Sequence, residues 1–177
     1  MKRIVLLVLM VISISLAFGQ KAVRQTASNY LKEGKLDKAL ETINQAIQDP
    51  STSQDAKTWF IRGNIYSEIA NTKDETFKAL DPEPLAKALE SYRKATQYDE
   101  KKEFAEDIFQ KVNWQRNKYF NEAVDFYGKK DYKGAMMSFD HGYAALSAIN
   151  IPDTLSLFYA AACAVTAREY DLSLIHI

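Results

Sequence analysis

The chain has one cysteine and two histidines in 177 residues, and its six glycines stand singly. Each scarcity removes a class of chemistry. A lone Cys163 cannot form a disulfide within the chain, so stability must come from packing. It lies in the small-residue run Ala160-Ala161-Ala162-Cys163-Ala164, where a thiol behaves as a small hydrophobe. Neither His141 nor His176 has a His, Cys or carboxylate partner at metal-ligand spacing on a shared helix face, so no metal is expected. Asp140 adjoins His141, but neighbouring helical residues point about 100° apart. Scattered glycines exclude a glycine-rich phosphate loop. Lysine plus arginine equal aspartate plus glutamate at 23 each, which leaves no basic face for nucleic acid. No stretch alternates apolar and polar residues over a strand's length, so the expected fold class is all-α with no sheet.

The N-terminus carries a different signal. Lys2 and Arg3 precede an apolar run, Ile4 to Phe18, interrupted only by Ser13 and Ser15. Ala17 and Gly19 then place small residues three and one positions before a cut ahead of Gln20. These are the marks of a secretory signal peptide over residues 1–19. As a helix the run spans roughly 22 Å, short of the ~30 Å hydrocarbon core. The alternative is an uncleaved membrane anchor. No cysteine lies near the cut, so lipid anchoring is not expected. The leader looks bacterial, and a periplasmic or secreted product follows. Lys2 and Arg3 are its only charges, so the remainder holds 21 basic residues against 23 acidic ones.

Breaks in helical periodicity divide the rest. Lys21 to Glu33 reads as a helix closing near Gly34, and Leu36 to Gln48 as the next. Pro50 stops a helix because it lacks an N–H and its ring blocks the preceding turn. Ser53 or Asp55 is placed to cap the following helix, which runs to about Ala70. Pro84 suits the first turn of a helix reaching Tyr98. A long helical stretch follows from about Glu103 to Tyr127, then a turn at 128–131, a helix from Tyr132 to Ser147, and another from Thr154 to Ala167.

One pattern recurs in this series. Tyr30, Gly34, Leu36, Ala39, Ile43 and Ala46 form one instance. Trp59, Gly63 and Tyr66, then Ala88, Tyr92 and Ala95, form a second. Tyr119, Ala123, Phe126, Tyr132, Ala135 and Phe139 form a third. Each reads as two helices with small residues at the crossing and aromatics filling the gaps. On these residues the chain resembles the tetratricopeptide repeat, a helix–turn–helix unit of 34 residues. Arg62 stands where that family usually has Leu, and Gly142 where it has Ala. The resemblance implies a right-handed superhelical solenoid of stacked antiparallel helix pairs over residues 20–171. Its units are about 20–52, 56–99 with an insertion at 71–83, 103–150, and an incomplete 154–171 that fits through Leu157, Ala160, Ala161 and Tyr170. Residues 172–177, ending Ser173-Leu174-Ile175-His176-Ile177, look like translated adapter sequence, with the native chain expected to continue.

Chemistry has little to work with. Asp99-Glu100, Glu103, Glu106-Asp107 and Asp125 are explained by solvated helix faces, so no catalytic residue and no cofactor is expected. Trp59, Tyr66, Tyr92, Phe126, Tyr132 and Phe139 are expected to fill the repeat core. The resemblance implies that the first-helix face of each unit lines a concave surface. Lys57, Phe60, Asn64 and Ser67 would lie there in the second unit, and Asn117, Phe120, Asn121 and Val124 in the third. Amides beside aromatics suit an extended peptide, with Asn pairing to its backbone while Phe covers a side chain. The expected function is an exported scaffold that binds a protein or peptide of the cell envelope, without nucleic acid and without stable membrane insertion. The alternatives are a carbohydrate-binding component of an outer-membrane nutrient-uptake system and a regulatory repeat domain of a longer protein.

Overall fold

The computed structural model describes residues 21–167. The leader, the cut before Gln20, Tyr170 and the 172–177 tail lie outside the described residues. Helix α1 covers 21–32. It is followed by α2 (Leu36–Ala46), α3 (Ala56–Asn71), α4 (Glu75–Lys78), α5 (Pro84–Tyr98), α6 (Ala105–Gly128), α7 (Tyr132–Ser147) and α8 (Thr154–Ala167). Every described element is a helix, with no strand among the described residues. None of these helices is long and apolar enough to cross a membrane.

Local chemistry sets the helix ends. Asp55 caps α3 by accepting from the Lys57 N–H at 2.9 Å, and Asp131 caps α7 by accepting from the Gly134 N–H at 2.9 Å. Pro84 occupies the first turn of α5, where its missing N–H has no helical partner to lose. Three helices end alike. After α1, the Lys35 N–H reaches back to the Tyr30 carbonyl and the Gly34 N–H to Leu31, with Gly34 left-handed at φ +72°. The same pair of bonds closes α6 through Lys130 and Asp131, and α7 through Asn150 and Ile151. Lys130 and Asn150 take φ of 61° and 62° there. At the α6 end, therefore, Gly128 stays helical and a lysine adopts the left-handed backbone. The closing bonds of this motif offset its steric cost.

The long sixth helix begins at Ala105 rather than Glu103. Just before it, the Asp99 carboxylate accepts from the Glu103 and Phe104 N–H groups. The expected 71–83 insertion contains α4, a single turn capped by Asp74. Contacts divide the chain into two compact units, one ending at Phe104 and the other starting at Ala105.

In the first unit α3 packs on α2 and α5. Trp59 faces Lys94 and Arg62 faces Ser91, so α3 and α5 run antiparallel. Tyr92 is completely buried against Gly63, where a Cβ would lie 2.5 Å from the ring. Its hydroxyl donates to Asn64 Oδ1 at 2.9 Å and meets Ser67 Oγ at 2.9 Å. Burial pushes this phenol above the ordinary tyrosine range. Arg62 is 8% exposed. Its guanidinium lies 4.8 Å from the Tyr66 ring and 5.5 Å from the Trp59 ring, and it donates to Ser91 Oγ at 2.7 Å and Asn44 Oδ1 at 3.3 Å. A cation thus fills the expected leucine position, and ring faces and hydrogen bonds replace its hydration.

In the second unit α7 packs on both α6 and α8. Glu122 meets Ser138 and Phe120 meets Phe139, while Phe139 also meets Tyr159. Gly142 of α7 lies close to Ser156 of α8 as well, so both pairings are antiparallel and α6 and α8 run parallel. The core is Ala123, Ala135, Met136, Phe139, Ala160, Cys163 and Ala164, with Phe120 and Phe126 packed against it.

The contact at Gly63 gives a test. Gly63→Ala should destabilise the protein by about 1–3 kcal/mol, because the buried Tyr92 ring has no room to move. Gly128→Ala, with nothing within 4 Å of its Cβ, should be neutral or slightly stabilising. Urea denaturation of both variants checks this, and equal midpoints would contradict the close crossing.

Candidate partner-binding groove

The residues expected on the binding face do not share one environment. In the first unit Lys57 is exposed on the first turn of α3. It lines an open hollow of about 420 Å³ with Arg24, Asp55, Asp99, Lys101 and Glu103 among its neighbours. Arg24 is already paired with Asp55, and the hollow mixes both charge signs. Phe60 is half-buried and stacks on Phe104 with centroids 4.8 Å apart. Asn64 and Ser67 hold the Tyr92 hydroxyl, so their polar groups serve the helix pair.

In the second unit Asn117 and Asn121 are exposed, and Asn117 Oδ1 accepts from Arg116 at 3.2 Å. Phe120 and Val124 enter a groove between α6 and α8. Its volume is about 370 Å³, and Tyr127, Phe139, Phe158, Tyr159, Ala162, Cys163 and Thr166 complete its lining. The two sets of expected residues belong to separate compact units, and within the second it is the apolar members that gather.

The groove is built from helix registry. On α6, Phe120, Val124 and Tyr127 follow the i, i+4, i+7 spacing that places side chains on one face. On α8, Phe158, Ala162 and Thr166 do the same with one residue's drift. Phe139 of α7 forms the floor, packed against Tyr159 at 5.3 Å and edge-on to Phe120 at 5.1 Å. Phe158 is 66% exposed, and Val124 and Tyr127 are about half exposed. Leu155 and Val165 extend the exposed apolar stripe along α8. No charged residue occurs between Thr154 and Ala167. Large apolar side chains gathered at an exposed face mark an interaction site more often than scattered single ones do.

Cys163 is buried at the groove wall. Burial pushes its thiol above the usual range, so it is a protonated packing group near neutral pH rather than a nucleophile. His141 lies against Tyr119 with ring centroids 5.2 Å apart. Among the described residues no three His, Cys, Asp or Glu side chains gather in a metal-binding arrangement.

One ion pair sets the end of the groove. Arg116 Nε donates to Asp153 Oδ2 at 2.7 Å and its Nη2 to Oδ1 at 3.2 Å. The same carboxylate accepts the Ser156 N–H at 3.1 Å and the Ser156 hydroxyl at 2.6 Å. The guanidinium also lies 4.5 Å from the Phe120 ring. Asp153 thereby caps α8 and ties its start to α6. Burial alone would raise this carboxyl, but the Arg116 and Ser156 bonds outweigh it and hold it below the ordinary aspartate range.

Tyr127, Phe158 and Tyr159 were not among the residues expected from sequence. Their signal was present. Phe158 and Ala162 stand in α8 as Phe120 and Val124 stand in α6, and the charge-free run marks the same helix. Compared with known proteins, the chain matches no family model and no curated protein.

A depressed carboxyl contributes stability above its unfolded value, near 3.9, and loses it as pH falls through the folded value. The wild type should therefore lose stability below about pH 4. Asp153→Asn should cost about 3 kcal/mol at pH 7, since it leaves the nearly buried Arg116 without its counter-charge. It should also flatten that acid limb. Denaturation midpoints measured between pH 3 and pH 7 test both, and an unchanged acid limb in the variant would remove the ion pair from the account.

Proposed function

We propose that the protein is a non-enzymatic binding module of the tetratricopeptide type, exported to the periplasm or secreted. In this reading its helix pairs stack as a right-handed solenoid, and it holds an apolar segment of a cell-envelope protein. The observation that carries the reading is the α6–α8 groove, with its half-exposed Val124 and Tyr127 and its largely exposed Phe158. Such positions are costly to leave in water, and covering the exposed remainder of each contributes about 1–2 kcal/mol. The antiparallel pairs α3–α5, α6–α7 and α7–α8 support the repeat register, and the apolar run Ile4 to Phe18 supports export. The chemistry is recognition alone: the groove offers shape and carbon surface, and it lacks a pair of groups placed for proton transfer or nucleophilic attack.

Site-specific photocrosslinking tests the assignment. A benzophenone side chain at position 127 or 158 should crosslink to a discrete envelope protein in the producing cell. The same group at the exposed Lys38 should not. Equal labelling from all three positions would place the partner elsewhere. The crosslinked protein should begin at Gln20 by N-terminal mass spectrometry and partition with soluble envelope material. Recovery of an intact Met1 in the membrane fraction would replace the cleaved leader with an anchor.

A further inference from the structure

We propose that the segment held in the α6–α8 groove is an amphipathic α-helix, with large apolar residues at i, i+3 or i+4, and i+7 and no charge on its docking face. This rests on the reading of the groove as a binding face and narrows its partner.

The first argument is polar satisfaction. An extended segment presents unpaired main-chain N–H and C=O groups to whatever surface it lies on, and each needs a partner once water is removed. The groove does not supply them. Its lining is Phe120, Val124, Phe139, Phe158, Ala162 and Cys163, with polar atoms only at Tyr127, Tyr159 and Thr166. The Thr166 hydroxyl already donates to the Ala162 carbonyl at 2.8 Å. The backbones of α6 and α8 are bonded within their own helices. The amides that would serve an extended chain are absent from the lining: Asn117 and Asn121 lie outside it, and Asn117 is engaged by Arg116. A helix brings its own main-chain bonds and presents only side chains.

The second argument is geometry. Two parallel helices with apolar stripes at helical spacing form the kind of furrow in which a third helix seats its ridge. The α8 stripe Leu155, Phe158, Ala162 and Val165 repeats at three- and four-residue steps, the period a docked helix would match. Ala162 sits between larger side chains, leaving a notch for one apolar residue of the partner. The third argument is charge. An α8 without a single ionised side chain offers no counter-charge, so a charge on the docking face would be desolvated without compensation.

The test is a paired selection on the full chain. One displayed library uses a helix-favouring, alanine-rich frame with residues varied at i, i+3, i+4 and i+7. The other uses an extended frame of equal length with proline at every third position. The expected result is enrichment from the helical library alone, with apolar residues at the varied positions. Binding by those clones, read by fluorescence anisotropy with synthetic peptides, should fall at least tenfold on Phe158→Asp and on Val124→Asp. Both sites are exposed, so circular dichroism and the melting temperature of each variant should match the parent; if one variant unfolds, the other decides. Clones from the extended library alone that depend on Phe158 would overturn the helix but keep the groove as a binding face. Clones from neither library that depend on Phe158 or Val124 would remove both readings. Concentration-dependent dimerisation, seen by sedimentation and abolished by Phe158→Asp, would assign the face to a second copy and likewise overturn the proposal.

Discussion

The Arg116–Asp153 pair is the interaction on which the candidate site depends. A single carboxylate performs two tasks that usually fall to different groups. It satisfies free N–H and hydroxyl donors at the start of α8, and it neutralises a guanidinium projecting from the middle of α6. Helix starts carry partial positive charge from their unsatisfied N–H groups, so an anion belongs there. Once that anion is shared with Arg116, the start of α8 is fixed to α6. Beyond that tie the two helices flank the furrow, with Phe139 of α7 beneath it. Arg116 also lies over the Phe120 ring, so the residue that fixes the frame orients one of the groove's own side chains.

Helix existence was legible because periodicity and punctuation agreed. Pro84, Asp55 and Gly34 did what their chemistry dictates, and α5, α7 and α8 fall where the pattern placed them. The places that resisted reading are those where tertiary context overrode local preference. Lys130 and Asn150 take the left-handed backbone because their N–H groups complete the closing bonds of α6 and α7, while Gly128, the residue best suited to that conformation, remains helical. Arg62 occupies a position where the repeat pattern wants leucine. Its burial is tolerated because Trp59, Tyr66, Asn44 and Ser91 converge on it from three helices, which no sequence window reveals.

The candidate site was legible in part for a related reason. Asn64 and Ser67 lie on the face that helical spacing assigns them, yet a buried Tyr92 hydroxyl needs partners and takes both. A spacing argument counts positions but not demands, and the demand came from another helix. Phe120 and Val124 escaped such recruitment because their neighbours on α7 and α8 are apolar. Phe158 and Tyr159 come from α8, whose sequence reads as an incomplete unit without a second helix to define its exposed face.

The contrast between the units also bears on how tightly a partner can be held. Where Phe60 stacks on Phe104 and Asn64 bonds Tyr92, little is left to offer a ligand. In the groove, Phe139, Tyr159 and Phe120 are already locked against one another in stacked and edge-on contacts, so the floor gives up little freedom on binding. The ordering cost then falls on Phe158, Val124 and Tyr127 at the rim, and on the partner. Preorganisation of that kind raises affinity without adding area. It also makes the rim the place where specificity is set. The floor accepts any carbon surface of the right width, whereas Phe158 and Tyr127 must each find a matching gap between the partner's side chains.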